Sequence, residues 1–425
     1  MSASEITAQS RSDRASTGSS VDRLARKLVF ALLQKLSIGR LVIDEEGDRT
    51  VFGDHSDDVE LVGYIRLHDP ALFRHVVLRG SVGAGESFMR GEWSSPDLTK
   101  VVQVMVANLH LLDDMDGRRW SPRKLGVGLT RLSLRALHAL RRNSREGARR
   151  NISAHYDLGN DFYELFLDPT MMYSSAIFPA DDTTLEQASL YKLDTICRKL
   201  ELKPGEHLVE IGSGWGGLAI HAAKHYGCRV TTVTISREQY DYAQRRISDA
   251  GLQDRIELRL CDYRDLSGTY DKLVSIEMIE AVGHHYFRTY FEKCANLLKP
   301  NGKMLLQSIT IADQRFEAAK REVDFIQRYI FPGGCLPSIS EIVRQVARHT
   351  DLRILQLDDL TLDYARTLAA WRDRFLGKLD RVRELGFDDI FIRMWHYYLC
   401  YCEGGFRERA IGVQQILFAK PGWRP

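Results

Sequence analysis

The run VEIGSGWGGL, Val209–Leu218, constrains this chain more than any other segment. It closes an apolar strand-like stretch, HLVEIG, and opens a stretch with helical spacing. Glycines in such a place let the backbone turn sharply and come close to a ligand with no Cβ in the way. Downstream the same alternation repeats. Strand-like runs at 229–236, 255–262, 271–278 and 302–309 are separated by helical stretches at 217–226, 238–250 and 286–298. That order predicts an α/β fold with a mostly parallel, doubly wound sheet and helices on both faces. Ligands of such sheets bind at the carboxyl ends of the strands.

The chain has 425 residues, enough for two domains. Residues 1–20 are polar, rich in Ser and Thr, and read as a disordered tail with no apolar signal-peptide core. Residues 21–115 read as a smaller α+β domain. It begins with a helix over 21–38 (Leu24, Leu28, Leu32, Leu33, Leu36) and continues with strands at 40–43, 59–67 and 75–78. A basic linker helix, 116–150, comes next. From Arg118 to Arg150 it is dense in arginine, with Glu146 its only acid. Three roles are open for it: a solvated connector, a nucleic-acid contact, or an interfacial helix on anionic lipid. No nucleic-acid fold or ladder of stacking aromatics lies nearby, so no nucleic acid is expected and the lipid surface is preferred.

The formal net charge of +2 selects no polyanionic partner by itself. The seven cysteines are scattered without a Cys-x-x-Cys pair. This disfavours a disulfide framework and a structural zinc site, and favours a reducing compartment. His284–His285 lacks ligand spacing, so no metal is expected. No apolar run reaches the ~18 residues of a membrane span. The expected location is cytoplasmic, with at most peripheral contact with a membrane.

Three features of the glycine turn favour S-adenosylmethionine over a nicotinamide. Glu210 stands just before the glycines, where a carboxylate can face a cationic amino-acid end. The second strand ends in Thr234-Ile235-Ser236 with no acid. Glu206 and Glu210 together suit a sulfonium better than a pyrophosphate, which wants donors. Gly212 and Gly214 then form the cradle. Ser236 is a candidate N-cap with Gln239 in the capping-box position; Gln239 could equally bond a ribose. Asp262 and Tyr263, after strand three, are placed to hold adenine, and helix capping would also explain Asp262.

The segment NISAHYDLGNDFYELFLDPTMMYSSAIF (151–178) stands in order with VEIGSGWGGL, TISREQ, EMIEAVG (277–283), YIFPGG (329–334) and YYLCYCEGGFR (397–407). With this set the chain resembles the cyclopropane-fatty-acyl-phospholipid synthases, including the mycolic acid cyclopropane synthases. The likeness runs from Asn151 to the C-terminus, and more loosely over the N-terminal domain. It implies a Rossmann-like class I methyltransferase domain over 151–425, with a helical cap over a tunnel for an acyl chain. It implies that Tyr173 and Ser174 touch the cofactor. It also implies that Glu280, Tyr398 and the backbone of Ile309 surround a bicarbonate near the methyl group. The N-terminal domain would help present phospholipid, and members are often dimers. Two positions of the implied bicarbonate site depart from the family: Ser175 replaces the usual cysteine and Gln307 the usual histidine. In addition, Ala281 stands where a histidine is common.

The implied reaction has a clear electrostatic requirement. An isolated alkene attacks a sulfonium methyl only when the two are aligned and water is excluded. A carbocation then develops on the lipid, and aromatic faces stabilise it by up to ~2 kcal/mol each. Tyr156, Phe178, Tyr329, Phe331, Tyr397 and Tyr398 are the candidates. Loss of a proton closes a cyclopropane. A hydride shift would instead give a methyl- or methylene-branched chain. A heteroatom methyltransferase acting on a small amphiphile, and a non-catalytic lipid-binding protein, are the other readings.

Overall fold

The computed structural model describes residues 19–109 and 158–425, which fall into two compact units. The first comprises the described residues before 110 together with Phe387–Glu408; the second comprises the remainder. The C-terminal region expected to run unbroken from 151 to 425 therefore lends one helix to the first unit. The basic linker (116–150), Tyr156 and all but the end of the N-terminal tail lie outside the described residues.

The first unit is built on a four-stranded sheet in the order β2-β1-β3-β4. Its strands are β1 (Arg40–Glu45), β2 (Asp48–Gly53), β3 (Val62–Leu67) and β4 (Trp93–Ser94). The opening helix, Ser20–Leu33, is fixed by a capping box between Ser19 and Asp22 and ends before the expected Ile38. It buries Ala25, Val29 and Leu33, so of the expected leucines Leu24 and Leu28 turn away from the core while Leu33 stays in it. Leu24 is 60% exposed and Leu28 42%. The strand expected at 75–78 is instead part of the Ala71–Met89 helix. Asp69 accepts from the Ala71 N–H (2.8 Å) and starts that helix after Pro70, and a four-residue apolar run cannot distinguish the two states. The Asp389–Arg407 helix packs on the Leu98–Ala107 helix. Gly404 permits this approach, because a Cβ there would lie 2.6 Å from Val102 Cγ1.

The second unit has a seven-stranded sheet in the order β10-β11-β9-β8-β5-β6-β7. Strands β5 (His207–Ile211), β6 (Arg229–Thr234), β7 (Ile256–Leu260), β8 (Tyr270–Ile276) and the start of β9 (Leu298–Ile311) run parallel, as the alternation predicts. No local period announces β10 (Arg353–Asp359) and β11 (Ile411–Ala419), which complete the sheet: β11 runs antiparallel to β9, and β10 antiparallel to β11. Helices cover both faces. Phe287, Tyr290 and Phe291 pack on one, and Ile196, Leu200, Leu218 and Ala222 on the other, all buried. Each large apolar side chain so enclosed contributes about 1.5–3 kcal/mol. The order of the first five strands brings the carboxyl ends of β5, β6 and β8 side by side.

Candidate cofactor and active site

At the end of β5 the backbone enters the left-handed region three times, at Gly212 (φ 97°), Gly214 (φ 48°) and Gly216 (φ 86°). The Gly212 and Ser213 N–H groups both donate to Val233 O (3.0 and 2.8 Å), clasping the turn to β6. Its flanks are tight. A Cβ on Gly217 would lie 2.5 Å from Thr170 O, and one on Gly212 3.3 Å from Met278 Cγ. The glycine turn thus sits between the segment leading to Tyr173 and the segment carrying Glu277 and Glu280. Among the described residues a Cβ on Gly214 would meet nothing within 4 Å, so none of them crowds this part of the backbone. The turn therefore fits S-adenosylmethionine: it has bare backbone, room beside it, and the buried acid Glu210 behind it.

Arg246 holds the first flank in place. Its guanidinium donates to Thr170 O (3.0 Å), Pro169 O (2.9 Å) and Trp215 O (3.1 Å), joining the 168–172 loop to the glycine turn. Arg246→Ala should destabilise the fold by on the order of 2 kcal/mol, since three carbonyls lose a charged donor. Arg246→Lys should recover little of this, because an ammonium cannot reproduce the planar fork. Thermal melting of the two variants checks both expectations.

At the end of β6, Thr234 Oγ1 donates to Gln239 Oε1 (2.8 Å). Ser236 caps the next helix by accepting from the Gln239 N–H (3.2 Å), as expected. The Gln239 side chain, however, turns to Thr234. Ile235 remains half-buried between them. After β7, Asp262 accepts from the Arg264 N–H (2.9 Å) and from its guanidinium (2.8 and 2.6 Å), so the capping role is present. The Tyr263 hydroxyl is buried without a hydrogen-bond partner among the described residues, and burial raises its pKa.

Behind the turn lies a buried polar network. Glu210 accepts from Thr232 Oγ1 (2.5 Å), and burial pushes its pKa up to about 8. Lys192, fully buried, donates to Ser174 Oγ (2.7 Å). Burial brings its pKa down to about 8, against the charges of Glu277, Asp168 and Glu210. Glu277 sits in the left-handed region (φ 48°), a strained place for a side chain. Its Oε1 accepts from the Ser175 N–H (2.9 Å) and from Gln307 Nε2 (2.8 Å). Glu280 Oε1 accepts from the Ile309 N–H (2.5 Å) and Ser308 Oγ (2.9 Å). Its Oε2 is buried, with no partner among the described residues. Burial first, and the neighbouring Glu277 second, push the Glu280 pKa up to about 8.

This arrangement tests the implied bicarbonate. Gln307 Nε2 donates to Glu277 and to Ser175 O (3.2 Å), and its Oε1 accepts from Gln415 (2.9 Å). Ser175 Oγ donates to Ala176 O (2.9 Å), and the Ile309 N–H to Glu280. The donors that would hold an anion are engaged within the chain. These residues do not fit bicarbonate, and no step below is routed through it.

The aromatic candidates separate. Tyr173 stacks on Trp371 at 5.3 Å, with Phe331 at 6.4 Å. Phe178 already lies under the Arg366 guanidinium (4.2 Å), and Tyr329 under that of Arg328 (5.2 Å). Tyr397 and Tyr398 lie on the Asp389–Arg407 helix of the first unit, the Tyr398 ring 5.2 Å from that of Trp395. Sequence reasoning missed Lys192 and Arg246, which carry no motif of their own, and Glu277, which opens the EMIEAVG run but is not singled out within it.

Comparison with known proteins gives the same picture. The chain is 41% identical over 376 residues to a tuberculostearic acid methyltransferase of Mycobacterium tuberculosis, covering 84% of this chain and 83% of that protein. It is 38% identical over 366 residues to a cyclopropane-fatty-acyl-phospholipid synthase of Escherichia coli, covering 84% and 87%. A solved mycolic acid cyclopropane synthase, complexed with SAH and CTAB, superposes with a TM-score of 0.60 at 31% identity, over 64% of this chain and 98% of that one. The family model described as mycolic acid cyclopropane synthetase matches residues 143–416, from just before the HYDLG segment into β11. The chain belongs to that family of S-adenosylmethionine-dependent methyltransferases.

Proposed function

We propose that this protein transfers the methyl carbon of S-adenosylmethionine to the double bond of an unsaturated phospholipid acyl chain and closes a cyclopropane ring through a carbocation. The observation that carries this reading is the convergence of the glycine turn, the Tyr173–Ser175 segment and the buried Glu280 carboxyl in one unit. S-adenosylmethionine, when bound, supplies an electrophilic methyl group on a cationic sulfur. Gly212 and Gly214 give it close backbone approach, and Tyr173 and Ser174 contact it. Glu210, Thr234, Ile235, Gln239, Asp262 and Tyr263 line the rest of its site. The Tyr173 face, backed by Trp371, stabilises positive charge as it develops on the lipid. A carboxyl with its pKa near the working pH is well matched to general base catalysis. The Glu280 Oε2 takes the proton that leaves the added carbon. Lipid extracts of cells expressing the protein should gain acyl chains heavier by one methylene; an unchanged profile would refute the reading.

One observation favours a second outcome from the same first step. At neutral pH a carboxyl with a pKa near 8 is mostly protonated, which leaves time for a hydride shift within the lipid cation, after which loss of a proton from the added methyl gives a methylene-branched chain. The 41% identical relative is named a methyltransferase rather than a cyclopropane synthase. Nuclear magnetic resonance of the product distinguishes the high-field protons of a cyclopropane from a branch.

The lipid substrate is met at an anionic bilayer surface. Among the described residues no helix is long and apolar enough to cross a membrane. The Ser20–Leu33 helix does present Val21, Leu24 and Leu28 to solvent, with exposed Arg23 and Lys27 between them. Apolar residues interleaved with cations suit the headgroup boundary of an anionic membrane. Leu24→Glu/Leu28→Glu should reduce sedimentation with phosphatidylglycerol-containing vesicles about tenfold or more, with little change in melting temperature. Unaltered sedimentation would remove this helix from the contact.

A further inference from the structure

Lys192 is buried to 0% exposure in the middle of the Leu185–Leu200 helix, a costly place for an ammonium. Three acids from three different parts of the second unit act on it through their charge: Glu277 from the end of β8, Asp168 from the loop before Tyr173, and Glu210 from β5. Each is already held by other groups. Asp168 accepts from the Thr170 N–H (2.9 Å) and Ser189 Oγ (3.0 Å), Glu210 from Thr232, and Glu277 from Ser175 and Gln307. Among the described residues, the one hydrogen bond recorded for the ammonium goes to Ser174 Oγ, at 2.7 Å.

An ammonium only donates, so Ser174 Oγ must accept from it. The hydroxyl's own hydrogen is then committed to point elsewhere. No acceptor for it is recorded among the described residues. Lys192 itself reaches no surface, so its influence on a ligand passes through Ser174.

We infer that Lys192 is a positioning residue for the cofactor, fixing Ser174 as a hydrogen-bond donor toward the carboxylate of the amino-acid end of S-adenosylmethionine. The inference rests on Ser174 being a cofactor contact. The charges of Glu277, Asp168 and Glu210 favour the ammonium against the cost of its burial. A neutral side chain at 192 frees Ser174 to rotate and accept, which turns a lone pair rather than a hydrogen toward the carboxylate.

Calorimetry with two ligands tests this: S-adenosylhomocysteine, and 5′-methylthioadenosine, which lacks the amino-acid end. Lys192→Met and Ser174→Ala should each weaken S-adenosylhomocysteine by about tenfold or more, the worth of a hydrogen bond to a charged group. Both should leave methylthioadenosine within about twofold, and the double variant should bind no worse than the weaker single one. Lys192→Gln, which keeps an N–H for Ser174 without the charge, should recover most of the affinity. Equal losses for the two ligands, additive losses in the double variant, or no recovery with Gln would overturn the inference. An unchanged Ser174→Ala would overturn the contact beneath it, and the inference with it. Should Lys192→Met not fold, the two-ligand comparison of Lys192→Gln with Ser174→Ala decides alone.

Discussion

Glu280→Gln is expected to lower turnover about 100-fold or more, while S-adenosylhomocysteine binds within about threefold of the wild type. The glutamine oxygen can still accept from the Ile309 N–H and Ser308 Oγ, so the local structure has what it needs. What disappears is the titrating, unpartnered oxygen. In the wild type, turnover should rise with pH through about 8, following ionisation of Glu280, and the variant should lose that limb. Stability moves the other way. A carboxyl whose folded pKa is raised binds more protons folded than unfolded between the ordinary carboxylate range and about 8. Stability is therefore greatest below that window and falls as pH rises across it. Glu280→Gln should flatten this fall and melt higher than the wild type at pH 8, by on the order of 2 kcal/mol. A variant with wild-type turnover, or with the alkaline limb intact, would remove Glu280 from the chemistry.

Gly214→Val should abolish cofactor binding at concentrations about 100-fold above the wild-type dissociation constant. At φ 48° a side chain costs about 1–2 kcal/mol of backbone strain. No atom of the described residues lies within 4 Å of the added Cβ, so their packing adds little to this. The new methyl groups enter the open space that the bare backbone leaves for a ligand. Gly251→Val is a matched control. Gly251 is also left-handed (φ 65°), also has nothing within 4 Å of a Cβ, and lies at the far end of the Arg237–Asp249 helix. Both variants should melt a few degrees lower, and only Gly214→Val should fail to bind. Equal binding by the two would separate the glycine turn from the cofactor.

The parts of this protein that can be read from sequence are those set by local period. VEIGSGWGGL, the apolar runs of β5 to β9 and the helices between them follow from side-chain alternation and from glycines that must turn. The polar network could not be read this way. Lys192 looks like any charged residue on an amphipathic helix, and becomes singular only when β5, β8 and the 168–175 loop enclose it. Glu277 reads as a neighbour of Glu280, whereas in the fold it ties Ser175 to Gln307. The resemblance misdirected Gln307 as well. It marked the residue as an anion donor, but its amide is taken up by Glu277 and Ser175. Strand β10 escaped notice because it is exposed on both faces, and β11 because the helices from Thr361 to Arg407 separate it from its neighbour. In the first unit, Leu24 and Leu28 of the Ser20–Leu33 helix suggested the wrong buried face, since Ala25 and Val29 fill the core there beside Leu33.

The direct measurement is mass spectrometry of phospholipid vesicles containing unsaturated acyl chains after incubation with the protein and S-adenosylmethionine carrying a trideuterated methyl. Label should appear in the acyl chains, with one deuteron lost where a ring has closed. Label confined to a headgroup nitrogen, or no label in lipid at all, would contradict the account.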